Sequence, residues 1–108
     1  MPRPRLTPLQ MKPHAKKAAS LLKLLGNEDR LLLLCQIAQR ECSVSQLENM
    51  LNIRQPTLSQ QLSVLRLRGA VATRREGKQV YYSLANEMAI IIINTLYALY
   101  CKEAAARS

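Results

Sequence analysis

Two sets of side chains in this chain can do chemistry. One is a run of amides, hydroxyls and cations between Arg54 and Lys78; the other is three cysteines, Cys35, Cys42 and Cys101. A glutamine amide offers an acceptor beside a donor, which matches the N6 and N7 edge of adenine in the major groove of a DNA duplex. Gln55 and Gln60 are therefore the candidate base readers, and Thr57 and Ser59 have hydroxyls suited to a phosphate or a thymine methyl. Arg54, Arg66, Arg68, Arg74, Arg75 and Lys78 suit phosphates, contacts that position a protein without specifying sequence. A solvated helix face is the competing reading for any one glutamine, and simple solubility the competing reading for the cations. Cysteines can bridge, ligate or react, but a free one is often just a small buried hydrophobe.

The elements that would carry these groups follow from periodicity. Leu58, Leu62 and Leu65 recur at helical spacing and give the segment one core-facing stripe, with Gln60, Ser63 and Val64 opposite and Gly69 as the stop. Strand-like Val71–Arg75 then turns at Glu76-Gly77 into Lys78–Leu84, rich in Val and Tyr. A helix followed by a basic hairpin is a winged helix-turn-helix pattern, whose usual partner is double-stranded DNA.

Upstream, Pro13 suits the first turn of a helix running to Leu25 with Ala18, Leu21, Leu22 and Leu25 as its stripe. Asn27 can cap a second helix, with Glu28 and Asp29 at its positive end, and Leu31 to Leu34 imply contact on nearly every side. Ser45 to Glu48 fits a capping box for a short third helix, and Asn52 to Arg54 the turn before the fourth. A last helix, about Asn86 to Glu103, is apolar most of the way round and must be buried against something. In so short a chain the economical partner is a second copy. Leu21, Leu22 and Leu25 of the first helix, with Ile90, Ile93, Leu96, Tyr97 and Tyr100 of the last, are the expected dimer face.

The expected fold is thus mainly α, about five helices with a small β-hairpin wing, dimeric through the first and last helices. Residues 1–12 are expected as a flexible basic arm, 13–103 as the domain and 104–108 as a tail. At 108 residues the chain is one small domain, without Trp or Phe to enlarge its core. Its net charge of +9, from 16 Lys and Arg against 7 Asp and Glu, favours a polyanionic partner. One histidine, His14, and scattered acids make no general-base constellation, so an enzyme is not expected, nor a cofactor. No secretory signal pattern is visible, and the apolar runs Leu31–Cys35 and Met88–Ile93 are too short to span a bilayer. The expected place is the cytoplasm, with no membrane partner, where cysteines are normally reduced. Cys35 and Cys42, seven positions apart, would lie about 10 Å apart on a continuous helix, too far for a direct disulfide.

The run Gln55-Pro56-Thr57-Leu58-Ser59-Gln60-Gln61-Leu62, followed by Leu65, Arg66, Gly69 and Val71, resembles the ArsR/SmtB family of small dimeric bacterial repressors. The resemblance adds Gln61, where the family commonly has His, to the DNA-contacting set. Leu31-Leu32-Leu33-Leu34-Cys35 and Leu96-Tyr97-Ala98-Leu99-Tyr100-Cys101 narrow the likeness to its persulfide-sensing BigR/SqrR/HlyU-like branch. That branch implies a homodimer on an inverted-repeat operator, with half-sites about 34–36 Å apart. It also implies that persulfide or polysulfide joins Cys35 to Cys101 and releases the DNA. The alternatives are a metal-responsive or signal-independent repressor of the same family, or a non-specific basic nucleic-acid-binding protein. Metal-sensing branches need ligands that Ser45–Met50 and Asn86–Tyr100 do not supply, although a three-thiolate site from Cys35, Cys42 and Cys101 stays open.

Overall fold

The computed structural model describes residues 5–107, with side chains through Cys101. Thr7 caps a helical turn, α1 (Pro8–Met11), and a 3₁₀ turn at Lys12–His14 leads into α2 (Ala15–Leu25). Regular helix thus begins after Pro13, whose ring nitrogen has no proton to give to an α-helical ladder. The expected arm is helical over Pro8–Met11, with every side chain exposed, while residues 1–4 lie outside the described residues. Leu24 and Leu25 enter the core; Leu22, expected on the same stripe, is exposed.

The next helix, α3 (Glu28–Gln39), is capped by Asn27, whose Oδ1 accepts from the Arg30 amide at 3.0 Å. Of its four successive leucines, Leu33 and Leu34 are wholly buried, Leu31 is half-buried and Leu32 opens to the surface. Cys42 does not continue this helix. It lies with Ser43 on a two-residue strand, β1 (Cys42–Ser43), paired to Tyr82 and Tyr81. Two residues carry no periodicity, so the strand was invisible in the sequence. The capping box of α4 (Val44–Leu51) falls two positions earlier than the spacing from Ser45 predicts. Ser43 Oγ accepts from the Gln46 amide at 3.2 Å, and Gln46 Oε1 from the Ser43 amide at 2.9 Å. The extended backbone that pairs β1 leaves Ser43 in the non-helical conformation a cap requires.

Asn52, at φ 55°, closes α4 in the left-handed region that Asn tolerates better than most residues. Leu58, Leu62 and Leu65 of α5 (Thr57–Leu67) then pack wholly or almost wholly inside against Leu33, Leu34 and Leu47. Burying each contributes about 1.5–3 kcal/mol. β2 (Val71–Glu76) and β3 (Gln79–Leu84) form the hairpin, ending on the pair Glu76–Gln79. The turn is therefore Gly77-Lys78, one residue later than expected. Gly77 adopts φ 62°, the positive value that a II′ hairpin needs at its first central position. The sheet order is β1-β3-β2.

Asn86 Oδ1 receives the Met88 and Ala89 amides and starts α6 (Glu87–Arg107), which runs on through residues 104–107, expected as a tail. The architecture is a winged helix-turn-helix, with α4 and α5 as the helical pair and β2–β3 as the wing. Among the described side chains of α6, only Ala89 and Ile93 are buried, while Met88, Ile91, Tyr97, Leu99 and Tyr100 are exposed. Side chains of α2 and α6, among them Leu21, Leu22, Met88, Ile91 and Ile92, line a shared apolar trough of about 490 Å³. Among the described residues, no helix is long and apolar enough to cross a membrane.

Candidate nucleic-acid interface and thiol pair

The buried leucines of α5 force its opposite side outward, and Ser59, Gln60 and Ser63 are all exposed there. Arg54 and Gln55 are exposed at its amino end, and Thr57 is half-buried. Gln55 is partly engaged: its Oε1 accepts from the Ser59 amide at 3.0 Å, capping α5 in place of Pro56, which has no side-chain cap. Gln61 is turned away from the outer face. It is half-buried, and its Oε1 accepts from Arg30 Nη1 at 2.9 Å. Gln60 is thus the glutamine of α5 left facing outward with no partner among the described residues.

The cations divide in the same way. Arg66 is exposed on α5, and Arg68, just beyond it, donates to the Ser20 hydroxyl of α2 while keeping its charge. Arg75 and Lys78 stand exposed on the wing with no ion pair among the described residues. Arg74 is committed elsewhere. Its Nε and Nη2 form a fork on Glu41 at 2.7–2.9 Å, Nη1 reaches Glu76 at 2.8 Å, and the guanidinium lies 4.7 Å from the Tyr81 ring centroid. The hydrogen bonds to Glu41 and then Glu76 raise its pKa above the already high arginine value. Two carboxylates therefore outweigh this one cation. Glu41 stands 33 positions away, so sequence spacing held no sign of it.

The cysteines also separate. All three are free. Cys42 is fully buried, its thiol donating to the Arg40 carbonyl at 3.3 Å, an ordinary core position. Cys35, on α3, lines an open cleft of about 480 Å³ with Leu32, Gln36, Leu51, Ile93 and Tyr97. Cys35 is exposed, but partial burial raises its pKa above the usual thiol value, and a thiolate at Cys101, on α6, raises it further. The two thiols thus lie within electrostatic reach of each other, across the packed faces of α3 and α6. Among the described residues, no three of His, Cys, Asp and Glu are grouped to hold a metal ion.

A raised pKa means less thiolate than a free cysteine at the same pH, so iodoacetamide should label Cys35 slowly at pH 7. Its rate should keep climbing beyond pH 9. Cys101→Ser should speed labelling at a given alkaline pH, without reaching the free-cysteine rate because burial is the larger cause. Labelling of Cys35 as fast as free cysteine at pH 7 would contradict the raised pKa.

The expected dimer face is divided by burial. Leu25 and Ile93 belong to the core of the protomer itself, Leu21, Ile90 and Leu96 are half-buried, and Leu22, Tyr97 and Tyr100 are open. Met88 and Ile91, apolar residues of the last helix left off the expected dimer face, are open beside Leu22. Arg30 was also missed, because nothing in its spacing marks a cation that bonds across helices.

Residues 27–72 match the family model for bacterial regulatory proteins of the arsR family. A biofilm growth-associated repressor of Agrobacterium fabrum is 54% identical, over 84% of this chain and 78% of its own. The chain belongs to the arsR family. As an arsR-family member it is a regulator and not an enzyme. Among solved structures, the transcriptional repressor BigR of Xylella fastidiosa superposes with a TM-score of 0.77, at 44% identity, covering 90% of this chain and 96% of that one. Reduced HlyU of Vibrio cholerae gives 0.79 at 40% identity, covering 85% and 97%. The chain falls in the BigR/HlyU-like branch of the family.

Proposed function

We propose that this chain is a homodimeric transcriptional repressor that binds an inverted-repeat operator and releases it when Cys35 and Cys101 are joined through reactive sulfur. The outer face of α5 carries the DNA reading: Ser59, Gln60 and Ser63 project from a helix whose other side is locked by three buried leucines. Such a face suits the major groove, with Arg75 and Lys78 of the wing on flanking phosphates. The exposed apolar trough of α2 and α6 supports pairing with a second copy, since apolar surface of this extent is seldom left to water. The relatives named repressors support the sign of regulation.

The thiol switch is supported by three features. Cys35 borders an open cleft, Cys101 lies within its electrostatic reach, and Cys42 is sealed in the core. A persulfide RSSH transfers its outer sulfur to one thiol of the pair, forming Cys–SSH and releasing the thiol RSH. The other cysteine then attacks the inner sulfur of that persulfide, forming the Cys35–Cys101 disulfide and expelling hydrogen sulfide. The sulfane sulfur takes up the two electrons that the thiols lose.

Mass spectrometry of the reduced protein treated with glutathione persulfide is the direct test. A Cys35–Cys101 linkage, with or without extra sulfur atoms, is expected. Thiols left unmodified, or a product confined to Cys42, would reject the switch and leave only a DNA-binding regulator.

A further inference from the structure

Arg30 sits in the first turn of α3, the positive end of that helix, where a cation is disfavoured. Its guanidinium is not left in water there. One edge of the fork meets the end of α2: Nε donates to the Leu24 carbonyl at 2.6 Å and Nη2 to the Lys23 carbonyl at 3.3 Å. These carbonyls lie at the negative end of α2, where a cation is favoured. The remaining nitrogen, Nη1, donates to Gln61 Oε1 of α5 at 2.9 Å. One half-buried planar group, with no carboxylate partner among the described residues, thus joins three helices.

We propose that Arg30 is a positioning residue for the DNA-reading face, holding α5 at a fixed rotation against α2 through Gln61. The proposal rests on the DNA-binding reading given above. Successive residues of a helix point about 100° apart. Gln61 follows Gln60 directly, so anchoring Gln61 sets the direction in which Gln60 points. The leucine stripe also faces α5 inward, but apolar contacts are not directional and tolerate small rotations. A hydrogen bond from a guanidinium does not. Because α2 also lines the exposed trough with α6, the clasp ties the orientation of the reading helix to the helix pair proposed to meet the second subunit. The role needs arginine: a lysine keeps the charge but cannot present three donors in one plane.

Arg30→Lys, Gln61→Met and the double variant leave net charge unchanged, so the salt-dependent attraction to any duplex should be unaltered. Each would be titrated against two probes, a duplex enriched by the wild-type protein from a randomised library and an unselected duplex of equal length. Thermal unfolding would confirm that each variant is folded at the assay temperature. Each single variant is expected to lose roughly tenfold in affinity for the selected duplex and nothing for the unselected one. The double variant should lose no more than the worse single, since both remove one connection. A purely structural role would lower the melting temperature and leave this affinity ratio unmoved. An unchanged ratio in folded variants, parallel losses on both duplexes, or additive losses in the double variant would overturn the proposal. Failure of the wild-type protein to enrich any duplex would instead remove the DNA-binding reading itself, and the positioning role with it.

Discussion

Cys35→Ser or Cys101→Ser is expected to leave operator affinity intact in the reduced protein and to abolish its loss on persulfide treatment. Neither residue belongs to the outer face of α5, and Ser removes the reactive sulfur with little change in side-chain size. In the wild-type protein the treated state should bind about 5–150-fold more weakly, the range of an ordinary coupling free energy of 1–3 kcal/mol. The route for that coupling is short. Cys35 is on α3, whose Leu33 and Leu34 pack into the same core as Leu58, Leu62 and Leu65 of α5. A bond to Cys101 draws α3 and α6 together at the cleft, and that movement meets α5 through a core packed too closely to absorb it. Fluorescence anisotropy with labelled operator, before and after persulfide and then after dithiothreitol, measures the whole cycle. Cys42→Ala should release and recover like the wild-type protein, because its thiol is enclosed. Release that persists in Cys35→Ser would reject the mechanism.

The parts of the molecule legible in the sequence are those set by local rules. The α5 stripe, the Asn27 cap and the glycine at the wing tip each follow from residue type and short spacing, and each stands within a residue of its expected place. The misplaced cap shows the limit of such rules. Ser43 and Ser45 both had a suitable partner three residues on, and only the pairing of β1 with β3 decided between them. The place of Cys42 was hidden for the same reason, since a two-residue strand exists only through its neighbour. The candidate site was legible as a surface but not residue by residue. Gln61 and Arg74 look, by type, as suited to DNA as Gln60 and Arg75. What separates them is Arg30, 31 positions from Gln61, and Glu41, 33 positions from Arg74, contacts that the fold creates and no periodicity announces.

That distinction among the cations has a consequence in salt. If the dimer neutralises about 6–10 phosphates, operator affinity should fall by roughly 10³–10⁵ between 50 and 200 mM salt, through release of condensed counterions. The logarithmic slope counts the contacts, and single substitutions can assign them. Arg75→Ala and Lys78→Ala each remove one exposed wing cation per subunit, two per dimer, and should each flatten the slope by about 2. Arg74→Ala should change it by less than 1. Its guanidinium already has two carboxylates and an aromatic face for partners, and a phosphate could recruit it only by displacing Glu41. The variant should still bind less tightly, because Glu41 and Glu76 then present uncompensated charge beside the DNA. Affinity and slope therefore part company at Arg74 and move together at Arg75. A slope that flattens as much for Arg74→Ala as for Arg75→Ala would mean that the Glu41 pair opens on the operator, making it part of the binding step and not a fixture of the wing.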